Sequence, residues 1–418
     1  MNPERIIAGL DIGSAKTTVV IAEAMGDRKS TPTLKILGVG QARTTGLRRG
    51  IVSDIEETTR SIKKAIEDAE RMAGTKIDTI YAGIAGEHVR AMISKGIVAV
   101  NGDEISKADV DRANDVARAQ PVPQDRELLH AIPQEYSVDK NQGIRDPIGM
   151  IGTRLETEMY LVTIGASPAM NLRKSVERAG YRVRELVLEP LASALSVLTE
   201  DEKELGVALV EMGAGTTDIA VFHEGKIRHL GTVNYGGNNV TSDIVQGIGV
   251  TQADAERLKE RYGCAYEPLV DPQDVIQLPS TVAQGERHIP REVLAHIIHQ
   301  RMDEIFNLVL SEIQRAGFAQ RLNGGVVISG GAAAMQGVAE LAADVFGTGV
   351  RIGSPSENIG GLADSVDAPR FATVVGLALY GAHRAAAGFS PTSKHRALAG
   401  AGVDRFTKRL KTWLEDFF

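Results

Sequence analysis

The stretch VALVEMGAGTTDIAVFHEG, residues 207–225, reads as two β runs around a glycine-punctuated turn. Val207, Ala208, Leu209 and Val210 are continuously apolar, the composition of a strand buried on both faces. Gly213 and Gly215 permit a tight turn before the second run. Successive amides in such a turn converge on an anion, and a neighbouring carboxylate, here Glu211, can hold an accompanying cation through its waters. A glycine-rich hairpin without a ligand is the commoner object, so repetition decides: residues 10–21, LDIGSAKTTVVI, align without a gap with residues 210–221, VEMGAGTTDIAV. Asp11 falls on Glu211, Gly13 on Gly213 and Thr17 on Thr217. Two such hairpins predict a duplicated fold closing on one ligand.

With this pair the chain resembles the actin, heat-shock chaperone and sugar-kinase superfamily, an α/β fold whose two related domains clamp ATP and magnesium between a first and a second phosphate hairpin. Three further stretches look like its remaining motifs, in the right order: EPLASAL at 189–195 as the first connecting helix, VVISGGAAAM at 326–335 as the adenosine motif, and PRFATVVGLALYG at 369–381 as the second connecting helix. The resemblance implies nucleotide contacts from Asp11, Gly13, Ser14, Ala15 and Lys16, from Gly213, Gly215, Thr216 and Thr217, from the turn at Gly236 and Gly237, and from Gly330, Gly331, Ala332 and Met335. It also implies magnesium between Asp11 and Glu211, catalytic carboxylates at Glu189 and Asp218, and adenosine contacts from Glu256 and Lys259.

Plainer readings stand beside these. Glu189 can be a helix-initiating carboxylate favoured by the macrodipole, Glu256 and Lys259 a solvated helical charge pair, and Gly330 and Gly331 structural glycines. Glu211 departs from the Asp usual in the superfamily. Its extra methylene moves the carboxylate outward, which is expected to slow hydrolysis more than it weakens binding.

A chain of 418 residues exceeds one ordinary core, so at least two domains are expected. A net charge of -7 argues against a general nucleic-acid binder. The single cysteine, Cys264, excludes an internal disulfide and reads as a small buried hydrophobe. The N-terminus has no apolar segment of secretory length, and no apolar run is long enough to span a bilayer; both point to a cytoplasmic protein.

In order, a first domain is expected over 1–84, with a strand at 34–40, a helix at 54–73 and a strand at 77–84 beside the first in a mixed sheet. The pattern changes over 85–163, with strands at 97–100, 128–138 and 157–163, a helix at 106–118 opened by Ser106 and Asp109, and loops at 121–123 and 141–152. Strands of the first domain flank this region, so it reads as an inserted subdomain. The first domain resumes over 164–204. The second covers 205–235 and 306–366, with a small subdomain at 236–305, and a connecting helix at 367–384 returns to the first domain.

Residues 385–402 have linker composition. In VDRFTKRLKTWLEDFF, residues 403–418, Phe406, Leu410, Trp413, Leu414, Phe417 and Phe418 form one helical stripe, with Arg405, Lys408, Arg409 and Lys411 at its edge. This is the pattern of a helix lying in the headgroups of an anionic leaflet; docking on the protein's own core is the other reading. The insertion and this tail narrow the resemblance to the FtsA family of bacterial division proteins. That resemblance implies a peripheral, ATP-binding filament protein, at most a slow ATPase, on the cytoplasmic side of the inner membrane at the septum. It further implies that the protein anchors the FtsZ ring, takes FtsZ's C-terminal tail on residues 236–305, assembles head to tail through the insertion, and recruits later division proteins. A small-molecule kinase would gain nothing from a membrane helix, and the related pilus-assembly actin homologue would lack one.

Overall fold

The computed structural model describes residues 5–26, 32–278, 287–355 and 358–386. The first half opens with strands β1 (Ile6–Ile12), β2 (Lys16–Met25) and β3 (Thr33–Arg43), the short hairpin β4 (Leu47–Arg48) and β5 (Ile51–Val52), helix α1 (Ile55–Ala73) and strand β6 (Thr79–Ile84). Helix α1 forms where the sequence predicts it. Asp54 caps it by accepting from the Glu57 amide at 2.9 Å, Gly74 ends it in the left-handed region at φ 64°, and Ile62, Ala65, Ile66 and Ala69 turn to the core.

The insertion comprises β7 (Arg90–Ala99), α2 (Lys107–Arg118), β8 (Arg126–Val138), β9 (Asn141–Ile144) and β10 (Arg154–Gly165), in a sheet ordered β7-β10-β8-β9. Ser106 and Asp109 make the expected reciprocal capping box on α2. Two expectations are corrected here. The strand expected at 97–100 is the end of a ten-residue strand from Arg90, and the loop expected at 141–152 contains β9, which pairs with β8 around the left-handed Asp139.

Helix α3 (Ala166–Arg178), strand β11 (Arg182–Leu188) and helices α4 (Glu189–Val197) and α5 (Glu200–Leu205) lead to the second half. There β12 (Val207–Met212), β13 (Thr217–His223) and β14 (Lys226–Val233) precede α6 (Gly237–Ile244) and α7 (Gln252–Tyr262). The small hairpin β15 (Val275–Leu278) and β16 (Arg287–Pro290), the long helix α8 (Arg291–Arg315), β17 (Val326–Ser329), α9 (Val338–Phe346), β18 (Val350–Ile352), β19 (Ile359–Gly361) and α10 (Ala372–Ala386) follow.

Duplication is visible in the sheets. The first is ordered β11-β6-β1-β2-β3-β19 and the second β14-β13-β12-β17-β18. In each, a hairpin (β1–β2, β12–β13) lies antiparallel, and its first strand runs parallel to a later one (β6, β17). Strand β19 pairs with β3, so the chain rejoins the first sheet at Ile359, ahead of the return drawn at residue 367. Likewise Ala385 and Ala386, read as linker, still belong to α10. The remaining linker and the basic aromatic stretch 403–418 lie outside the described residues.

A shared core joins the three parts: Ile132, Tyr160 and Val162 of the insertion pack with Leu188 and Leu191 and with Val207, Leu209, Ala220 and Phe222 of the second sheet. Burial of such side chains stabilises by about 1.5–3 kcal/mol each.

Candidate functional site

The two hairpins close in the same way. Gly13 donates its amide to the Lys16 carbonyl at 3.1 Å, and Gly213 donates to Thr216 at 2.9 Å. The pairing registers also coincide, with Asp11 opposite Thr18 and Glu211 opposite Asp218. The gapless sequence alignment is therefore a structural equivalence. The glycines are needed for room more than for turn shape, since neither Gly13, Gly213 nor Gly215 has positive φ. A Cβ on Gly215 would lie 2.7 Å from Ser14 Oγ, so the hairpin tips approach one another across the space between the halves.

That space is a cleft of about 630 Å³, within the usual range for ligand sites. The first hairpin lines it with Asp11, Gly13, Ser14, Ala15 and Lys16, and the second with Glu211, Gly213, Gly215, Thr216 and Asp218. Glu189, Gly237, Glu256, Lys259, Gly330, Gly331, Ala332 and Met335 complete it. Two expected contacts fall elsewhere. Thr217 is buried and donates its hydroxyl to the Tyr235 carbonyl at 2.9 Å. Gly236 packs under the second hairpin, where a Cβ would meet the Gly213 carbonyl oxygen at 2.6 Å. Both shape the Gly236–Gly237 turn without lining the cleft.

Of the pair Lys259 and Glu256, the carboxylate is 41% exposed, whereas the lysine is held by the fold. The Lys259 ammonium donates to the Gly237 carbonyl at 3.0 Å, to Thr241 Oγ1 at 2.8 Å and to Glu256 at 2.8 Å, and its side chain is 11% exposed. It therefore fixes α7 against the first turn of α6 at the cleft wall. Gly330 and Gly331 divide their tasks. Gly330 has φ 90° and lies against the Met212 backbone, where a Cβ would be 2.5 Å from the carbonyl oxygen; a Cβ on Gly331 would meet nothing within 4 Å. Gly330 is therefore held by the sheet, and Gly331 by the open cleft.

Asp11, Glu189, Glu211 and Asp218 gather on the floor. Burial pushes Glu189 well above the ordinary carboxylate range, and the charges of Asp11, Glu211 and Asp218 add to this. Burial, then Glu211, raises Asp11. Burial carries Glu211 to about 7 despite the Thr373 and Ser193 hydroxyls. Asp218 reaches about 6, with Thr232 at 2.6 Å, Thr216 at 3.2 Å and the Gly86 amide opposing the rise. Among the described residues, no three His, Cys, Asp or Glu side chains converge to ligate a cation directly. The floor thus suits a hydrated cation that is shared with a polyanion.

Sequence reading missed Ser193 of α4 and Thr373 of α10, which donate to Glu211. It also missed Arg370 and Gln336 at the cleft wall. None of these belongs to a glycine turn or an acidic pair; the position of Ser193 and Thr373 inside the two connecting segments was the available signal.

A family model described as "Cell division protein FtsA" matches residues 208–376, and one described as "SHS2 domain inserted in FTSA" matches residues 86–163. Curated relatives include the "Cell division protein FtsA" of Pseudomonas aeruginosa, 40% identical over 99% of this chain and 98% of its own length. That of Escherichia coli is 37% identical over 99% and 98%. Solved structures of similar fold include a "PilM-PilN type IV pilus biogenesis complex" (TM-score 0.61, 16% identity, 90% of this chain, 98% of that one). MreB5 of Spiroplasma citri bound to ADP follows (0.51, 15%, 85% and 94%), and so does a MamK double helical filament (0.50, 14%, 90% and 98%). The fold is that of the actin-like ATPases. With duplicated hairpins on one cleft, an inserted subdomain matched by its own model, and identity running through nearly the whole chain, this protein belongs to the FtsA family of cell division proteins.

Proposed function

We propose that the chain binds ATP with magnesium between its hairpins and, so loaded, polymerises at the cytoplasmic face of the inner membrane at the septum. There it anchors the FtsZ ring and recruits later division proteins. The observation that carries this reading is the pair of hairpins in identical register, whose turn residues and carboxylates line one cleft of nucleotide size.

The residues fit the ligand. Amides of both turns would supply donors for phosphate oxygens, and Gly331, Ala332 and Met335, with Lys259 and Glu256 in the same lining, offer small and apolar groups with a few polar ones for adenosine. Magnesium, when bound, offsets phosphate charge; Asp11 and Glu211 would hold its water shell, with Asp218 of the second hairpin lining the same floor. Burial and the neighbouring carboxylates raise Glu189 well above the ordinary carboxylate range, which disfavours the ionised form that a general base needs. Glu189 can orient a water but is a poor base, which supports nucleotide binding with at most slow turnover.

MreB5 is described with ADP and MamK as a filament; both share this fold, which supports a nucleotide-loaded polymer here. The tether is the basic aromatic stretch 403–418. None of the described helices is long and apolar enough to cross a membrane. FtsZ's C-terminal tail is assigned to residues 236–305 by family likeness.

The test is sedimentation with anionic liposomes in ATP or in ADP, followed by electron microscopy of the pellet. The proposal expects ATP-dependent pelleting with filaments on the vesicles. Pelleting indifferent to nucleotide, with no polymer, contradicts it.

A further inference from the structure

Glu211 stands where the two halves are joined as well as where they face each other. Its Oε2 accepts from Ser193 of α4 at 2.8 Å, its Oε1 accepts from Thr373 of α10, and the two hydroxyls lie 3.0 Å apart. The helices meet at this point backbone to backbone. A Cβ on Gly376 would lie 1.9 Å from the Ala192 carbonyl oxygen, and Ser196 donates to the Ala372 carbonyl at 2.7 Å. The carboxylate thus closes a clasp at the crossing of the two segments that connect the halves, while the same residue lines the cleft. Asp11, its counterpart in the first hairpin, makes no side-chain hydrogen bond among the described residues, and its side chain is one methylene shorter.

We propose that Glu211 is a positioning residue that couples cleft occupancy to the hinge formed by α4 and α10. A hydrated cation drawn to the cleft floor competes with Ser193 and Thr373 for the carboxylate oxygens, so loading the cleft releases the clasp and emptying it restores the clasp. The longer side chain of Glu is what spans from β12 to both helices. Carboxylates that accept from hydroxyls form the stronger class of hydrogen bond, and a buried acceptor that loses a donor is penalised further. The clasp is therefore strong enough to bias the relative setting of the halves. The cation step rests on the nucleotide reading above; the clasp itself does not.

Hydrogen exchange on the full chain, read at residues 189–197 and 372–386, separates the two. Without nucleotide, Ser193→Ala is expected to exchange about tenfold faster than wild type in these helices. Calorimetry with ATP and magnesium should still show binding by this variant. In wild type the same ligand is expected to speed exchange in both helices, and in Ser193→Ala that response is lost. Unchanged exchange without nucleotide overturns the clasp, and a wild-type response in the variant overturns the coupling. If wild type fails to bind ATP, the nucleotide reading falls while the nucleotide-free comparison still decides the clasp. Glu211→Asp is the second variant: it keeps the charge, shortens the reach, and is expected to raise exchange in both helices as Ser193→Ala does; protection equal to wild type would count against the proposal.

Discussion

Gly330 and Gly331 show how neighbouring residues of one motif answer to different physics. A side chain at Gly330 is strained by φ 90° and collides with Met212, so its loss would report damage between β12 and β17. A side chain at Gly331 would enter the cleft and leave the sheet intact. Glu189, the first residue of α4, is raised well above the ordinary carboxylate range by burial and by its acidic neighbours. Glu189→Ala, which removes the group that orients the water, should lower ATP hydrolysis by at least about tenfold while leaving ATP affinity nearly unchanged, measured by phosphate release and calorimetry. Equal hydrolysis would return Glu189 to the role of a helix-initiating residue. Asp11 and Glu211 were legible because each adjoins a glycine turn, while Glu189 and Asp218 came from the family resemblance. Ser193 and Thr373 were not, because small hydroxyl residues inside apolar helices carry no spacing signal.

At the level of elements, α1 and α2 were legible because their caps and apolar spacing agree with their burial. Strands β7 and β9 were not. The first half of β7 is exposed, so its residues lack a two-residue alternation, and Asn141–Ile144 is held by hairpin pairing to β8 without burying a face. Strand β19 is three residues long and exists because β3 offers it an edge. Ser106→Ala in α2 should cost about 1 kcal/mol in urea unfolding by removing the cap.

Strand β8 also carries His130, whose Nε2 accepts the Leu188 amide at 3.1 Å, at the N-cap of α4. Burial, then the Arg384 charge, lowers this histidine to about 4 from 6.5. The folded state therefore resists a proton that the unfolded chain accepts, so this contribution to stability is intact above pH 6.5 and is lost as pH falls toward 4. The raised carboxylates of the cleft act in the opposite direction, so the informative quantity is a difference. His130→Gln should be less stable than wild type at about pH 8, and the gap should close on acidification through that window. A gap constant with pH would mean that folding does not shift the protonation of this ring.

For the whole molecule, the duplicated halves were legible in the repeated hairpin, and the insertion in the change of pattern between strands of the first sheet. The shared core of insertion and second sheet was not, because contacts across such sequence distances leave no local trace. Deleting residues 85–163 therefore removes part of a common core as well as a surface, and point substitutions are the cleaner probe of assembly. The tether belongs to this scale as well. On the proposed reading, each basic residue of this stretch would gain roughly 1 kcal/mol near an anionic surface, on top of the apolar stripe, so that one copy would bind reversibly and a polymer by avidity. Trp413→Glu should abolish flotation on anionic vesicles with nucleotide binding unchanged. Flotation like that of wild type would place residues 403–418 on the protein's own surface.

The central claim, that the two hairpins and the wall at Gly331 enclose one nucleotide, is tested most directly by titrating ATP with magnesium into wild type and Gly331→Leu in a calorimeter, with thermal melts alongside. The account predicts binding at one site per chain in wild type, affinity reduced by at least about tenfold in the variant, and equal melting temperatures without ligand. Equal affinity in the two proteins would contradict it.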